Sequence, residues 1–173
     1  ASRYPHDTPA HEVIDGVAVH RFPFLEALSQ RGIAPAERFA TLARTLRAFS
    51  ALKTEFRPDV VHINMTDAIG FFPLRTTNAH RAATVVTVHM PLGAAYAERG
   101  GVVAQLAAEA DAIASVSNAT AALAATGMRL PRSAIDVIPP GVPAGNFPPR
   151  VGLPSGPPAF VVMGRIVPDK GVD

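Results

Sequence analysis

The closing stretch Val161-Val162-Met163-Gly164-Arg165-Ile166-Val167-Pro168-Asp169-Lys170-Gly171-Val172-Asp173 sets two cations behind an apolar run that ends in glycine. The run reads as a buried strand, and Arg165 and Lys170 can both project from the loop after it. A guanidinium offers a planar fork and an ammonium a point charge, a pairing suited to the separated oxygens of a diphosphate. Two solvated loop cations would give the same spacing. His89 is the second chemical group. It follows Val85, Val86 and Val88 and precedes Pro91-Leu92-Gly93, so it falls at the carboxyl end of a strand. In open α/β sheets, ligands bind in the crevice beyond those ends. An imidazole there can donate or accept hydrogen bonds to a ligand, or be satisfied by nearby backbone. His62 and Asn64 share one face of the preceding strand, because side chains alternate with period two. His62 lies deeper and reads as structural, while Asn64, at the exit, reads as polar rim or ligand contact. Gly141, in Pro139-Pro140-Gly141, permits a tight turn and close backbone approach to a ligand, and a plain turn explains it equally.

These groups must be positioned by alternating elements. Residues 1–15 are polar and irregular, and Gly16–Phe24 reads as a short strand stopped by Pro23. A helix is predicted from Ala36, with Phe39, Leu42, Leu46, Phe49 and Leu52 recurring on one face. Pro58 should end it before a strand at 59–63. A helical stretch around 67–80 leads to Ala83–His89, an apolar β-branched run of the kind buried on both faces of a sheet. A helix near 100–110 precedes a strand at 111–117. Ser117 can cap the following helix, with Gly127 past its end. Ser133–Gly141 supplies another strand and a turn. Strands alternating with helices imply parallel βαβ units and a Rossmann-like, doubly wound α/β sheet. Pro143–Pro158 breaks the rhythm as a stiff, Pro- and Gly-rich linker. The expected division is 1–147 as one domain, 148–158 as linker, and 159–173 as the first strand of a second domain.

Composition narrows the function classes. The 173 residues are 48% hydrophobic and 17% charged, enough to bury a core. A net charge of +2, scattered basic residues and the absence of tryptophan argue against a nucleic-acid surface. No cysteine is present, which removes disulfides, thiolate metal sites and cysteine nucleophiles, and fits a reducing cytoplasm. No apolar run approaches the ~20 residues of a membrane span. The six histidines form no ligand-like cluster, so no metal site is expected. Neither a dinucleotide fingerprint nor a phosphate-binding P-loop occurs.

Six segments, in order, carry a resemblance. They are GVAVHRFP, RPDVVHIN, VVTVHM, ADAIASVSNATAAL, IDVIPPGVPAGNF and FVVMGRIVPDKGVD. Together they resemble the family 4 retaining glycosyltransferases of GT-B architecture. The last is similar to the segment that opens that family's second domain. The resemblance implies two Rossmann-like domains facing a cleft, here an incomplete N-terminal domain and the first strand of the next. It implies an EC 2.4, hexosyltransferase-like enzyme that needs no metal and no cofactor. Its donor would be a nucleotide-diphosphate sugar, and its acceptor a small molecule, a glycan or a lipid-linked chain. By position, Gly164, Arg165, Lys170 and Gly141 would serve the donor, with Arg165 and Lys170 on its diphosphate. His89 and Asn64 would lie on the acceptor side, with His89 also near the reacting carbon.

The sequence departs from the family pattern at Met90, where an acidic residue is usual, and at Asn64, where a second histidine is usual. Pro140 and Pro143 stand in place of Asn and Asp. The family's first strand and glycine-rich loop would precede residue 1, and the rest of the donor domain would follow Asp173. On that implication the 173 residues alone are expected to be inactive. The full-length enzyme is expected in the cytoplasm, with peripheral membrane contact. A nucleotide-sugar epimerase of the same architecture and a non-catalytic nucleotide-sugar-binding module are the alternatives.

Overall fold

The computed structural model describes residues 8–28, 34–64, 66, 68–92, 101–143, 145, 152, 156 and 157. The chain divides into two units, Ala1–Pro140 and Gly141–Asp173. Every described helix and strand lies in the first.

The N-terminal region differs from its expected form. β1 (His11–Ile14) and β2 (Val17–His20) make an antiparallel hairpin in a sheet of their own. Asp15 (φ 50°) and Gly16 (φ 81°) both take left-handed backbone, which a two-residue type I′ turn demands and an Asp-Gly pair supplies. The irregular stretch therefore contains a strand, and the single strand expected at 16–24 ends at His20. An Arg21–Glu12 ion pair ties the hairpin base.

Helices α1 (Phe24–Leu28) and α2 (Pro35–Phe56) follow. Pro35 suits the first turn, where its missing N–H is no loss. Arg57 ends α2 in left-handed backbone, its N–H bonded to the Lys53 carbonyl. The buried side of α2 is rotated from the expected stripe. Leu42, Leu46, Phe49 and Leu52 are half-buried and Phe39 is 62% exposed, whereas Thr45 and Lys53 are buried. Phe49 meets Phe22 and Phe24 edge-on, and Phe24 reaches Phe72 at 4.4 Å between ring centroids. Aromatic contact thus links α1 and α2 to the next helical segment.

β3 (Val60–Ile63), β4 (Ala83–Val88), β5 (Ala112–Ser115) and β6 (Asp136–Val137) form a four-stranded parallel sheet in chain order. A 3₁₀ turn at Ala68–Gly70, α3 (Phe71–Arg75) and a second turn at Thr77–Ala79 connect β3 to β4. α4 (Val102–Glu109) connects β4 to β5, and α5 (Asn118–Met128) with a turn at Arg132–Ala134 connects β5 to β6. Parallel crossovers share one hand, so a sheet in sequential order gathers its connecting helices on one face. Ile63, Val86, Val88 and Ile113 accordingly share a core with Leu74, Val103, Leu106, Ala121, Ala124 and Met128. β4 is buried on that face only; Val85 and Thr87, on the other, are half-buried. This is the Rossmann-like α/β arrangement, with the reversal of strand order that makes a sheet doubly wound not among the described residues.

Ser117 caps α5 as expected, its hydroxyl accepting the Thr120 N–H at 3.1 Å. Gly127 does not stand past the helix end. It is buried in the last turn, and Arg129 (φ 56°) takes the left-handed capping position.

Gly70 marks a close approach. A Cβ there would sit 2.7 Å from Leu106 Cδ1 and 3.2 Å from Val102 Cγ1, and Leu106 is fully buried. Gly70→Ala should cost about 1–3 kcal/mol by overpacking, seen as a lower urea midpoint with unchanged slope. Lys53 makes a second prediction. It is 6% exposed, and its Nζ donates to the Thr76 carbonyl at 3.0 Å. Loss of water lowers its pKa from the ordinary 10.5. Between the lowered value and 10.5, the unfolded chain binds the extra proton, so stability rises with pH across that window. The stability of the wild type relative to Lys53→Met should climb as pH rises to 10.5 and be level below the window. A flat difference in calorimetric melting across both ranges would contradict it.

Candidate functional site

Parallel register sets the site. His62 lies beside Val85, and Ile63 beside Val86. Paired residues point the same way, so Ile63, Val86 and Val88 enter the core while His62, Asn64, Thr87 and His89 share the opposite face. His62, Asn64 and His89 are exposed and Thr87 is half-buried.

Asn64 and His89 are each the first residue past a strand, at neighbouring carboxyl ends. His89 Nε2 lies 3.4 Å from Asn64 Oδ1. That oxygen only accepts, so Nε2 carries the proton and, in the neutral ring, Nδ1 keeps a lone pair. The contact is long for a hydrogen bond. One tier deeper, His62 Nε2 meets Thr87 Oγ1 at 2.8 Å. Strand β5 anchors the other side of β4: Ser115 Oγ donates to the Val88 carbonyl at 3.3 Å, and Ser117 follows as the cap of α5.

The expected acceptor-side residues, Asn64 and His89, are thus brought together. His62 is held by Thr87. Thr87 was not singled out from the sequence, although it sits two residues before His89 and therefore on its face. Gly141 belongs to the second unit and is exposed; its φ is not left-handed, and no atom lies within 4 Å of where a Cβ would be. Gly164, Arg165 and Lys170 lie outside the described residues. Among the described residues, no cluster of His, Asp or Glu could hold a metal ion, and no helix is long and apolar enough to cross a membrane.

A parallel sheet with helices in its crossovers, and an imidazole–amide pair where its strands end, defines a Rossmann-like domain with polar side chains at its carboxyl edge. Residues 1–145 match Glycosyltransferase Family 4, and the chain belongs to that family. No curated protein and no solved structure matches it. Membership carries glycosyltransferase-type chemistry, with a sugar donor and an acceptor as substrates.

The Asn64 contact favours one tautomer. Long-range ¹H–¹⁵N correlation spectra should show neutral His89 protonated at Nε2, and Asn64→Val should shift the ring to a mixture of tautomers. An Nδ1-protonated ring in the wild type would reverse the assignment.

Proposed function

We propose that this protein is a retaining, hexosyltransferase-like enzyme that moves a sugar from a nucleotide-diphosphate donor to an acceptor hydroxyl. The observation that carries this reading is the His89–Asn64 pair at adjacent carboxyl ends of β3 and β4 in a family 4 domain. During transfer, the bond from the anomeric carbon to the diphosphate oxygen breaks, and the acceptor oxygen takes its place on the same face. The acceptor proton has two destinations, the unprotonated Nδ1 of His89 or the departing phosphate. His89 is also assigned to the donor sugar near the reacting carbon, and Asn64 is assigned to supply an amide to the acceptor. Arg165 and Lys170 are assigned to the diphosphate, where cations already in place stabilise the charge that develops on the leaving group. Gly164 and Gly141 are assigned to the backbone around the donor. The reaction in this reading uses no metal and no cofactor, and the cytoplasm is its compartment, with peripheral membrane contact where the acceptor is lipid-linked.

The test is to incubate the full-length enzyme with UDP-, GDP- and ADP-sugars and a range of acceptors. Acceptor-dependent release of nucleoside diphosphate is expected, with the product's anomeric configuration by ¹H NMR equal to the donor's. Inversion would remove the retaining assignment. Interconversion of nucleotide-sugars without acceptor would make the protein an epimerase. His89→Ala and Arg165→Ala should each lower turnover at least ~10-fold, since one lost electrostatic donor can cost ~2.7–4 kcal/mol. Wild-type turnover in both would overturn the residue roles.

A further inference from the structure

The amino end of the sheet carries a second concentration of polar groups, separated from His89 by the six residues of β4, roughly 20 Å. A cavity of about 480 Å³ opens there, within the range of small-ligand sites. A second hollow of about 390 Å³ shares His80, Arg81, Ala82 and Asp111 with it.

Its lining has a definite chemistry. Lys53 and Arg81 contribute cations, and Glu109 and Asp111 contribute carboxylates. Among the described residues none of the four forms an ion pair. Lys53 uses one of its three donors, on the Thr76 carbonyl. Asp111 uses Oδ2 on the Thr84 N–H at 2.7 Å, leaving its other oxygen. Thr77, Asn78 and Thr84 add hydroxyl and amide groups. No large aliphatic side chain lines this space, so it offers an acyl chain no apolar wall; His80 contributes an imidazole, its Nε2 3.1 Å from the Pro58 carbonyl.

A purely anionic ligand would meet Lys53 and Arg81 but face two carboxylates. A purely cationic one would have the reverse problem. A molecule with both charges, joined by a hydroxylated frame, answers both pairs of charged groups and the hydroxyl and amide groups. We propose that this cavity is a second ligand site, selective for a small hydroxylated zwitterion of the amino-sugar phosphate class. The phosphate would lie towards Lys53 and Arg81, the ammonium towards Glu109 and Asp111, and the hydroxyls towards Thr77, Asn78 and Thr84. Burial already weakens the hold of Lys53 on its proton, so an arriving phosphate would repay part of its lost hydration. The site lies at the opposite end of the sheet from the transfer site and does not depend on the assignment of donor or acceptor.

Three probes that differ by one charged group test it, by titration calorimetry on the full-length protein. Glucosamine 6-phosphate should bind. Glucose 6-phosphate, without the ammonium, and glucosamine, without the phosphate, should each bind at least about tenfold more weakly, the scale of a lost hydrogen bond to a charged group. Arg81→Ala and Glu109→Gln are surface substitutions that should preserve the fold and each weaken glucosamine 6-phosphate binding about tenfold or more. Sugar transfer by Arg81→Ala should stay at the wild-type rate. The proposal is overturned if none of the probes binds, if glucose 6-phosphate binds as tightly as its amino counterpart, or if both substitutions leave binding intact. Loss of transfer together with binding in Arg81→Ala would place the ligand in the catalytic cleft and overturn it also.

Discussion

Everything in this domain depends on the parallel pairing of β3 with β4. Once Ile63 lies beside Val86, the alternation of side chains commits each strand to one apolar and one polar face. Ile63, Val86 and Val88 close against α4 and α5. His62, Asn64, Thr87 and His89 are then left together on the other side without any further instruction. A slip of β4 by one residue would turn His89 towards the core and Val86 and Val88 away from it, so the register that builds the core also builds the candidate site. The two hydrogen-bonded pairs across β3 and β4, at 2.8 Å and 3.4 Å, are consequences of that register more than causes of it.

The helices matter through what they leave open. Sequential strand order brings α3, α4 and α5 to one face, so among the described residues these helices leave the strand ends clear at both edges. At the carboxyl edge Asn64 and His89 reach out beyond the ladder. At the amino edge α2 delivers Lys53 to the backbone of the segment after α3, where the Thr76 carbonyl receives it. Lys53 therefore contributes a tie between two helical segments while its charge is held in poor solvent. Its stem packs as an aliphatic side chain and its head donates to a carbonyl, a division common for long basic residues.

Much of the sheet was legible because its signals are local and consistent. Val60–Ile63, Ala83–Val88 and Ala112–Ser115 are largely apolar or β-branched runs, and Ser117 announced its cap by residue type alone. The placement of His89 followed from a general property of open sheets. The hairpin at His11–His20 was legible too, in Asp15-Gly16, but the polar character of its first strand hid it. Neither edge of that small sheet is buried enough to impose hydrophobic alternation. Gly127 misled because glycine after a helix is common; here it is the missing Cβ inside a buried turn that counts. Phe39, expected on the buried face, is exposed and Lys53 is buried, because periodicity identifies a helical face only approximately. The rotation of that face is decided by what packs on it.

That last distinction bears on the amino-end cavity. Its residues come from α2, the turn after α3, the approach to β4 and the end of α4, so no sequence motif could announce it. Motifs record groups that a short loop must hold together, as at the carboxyl ends. Sites assembled from the starts of several elements depend on the fold to bring them near, and their members are ordinary surface residues when read one at a time. Lys53 is the exception in kind, since a basic residue placed among half-buried leucines carries a desolvation cost that an apolar side chain would avoid. A single carbonyl at 3.0 Å offsets only part of that cost. Two further N–H donors beside a polar hollow leave room for an anion to offset more. On physical grounds, then, the two ends of one sheet are different kinds of site: the carboxyl end is defined by register, the amino end by an unfinished electrostatic balance.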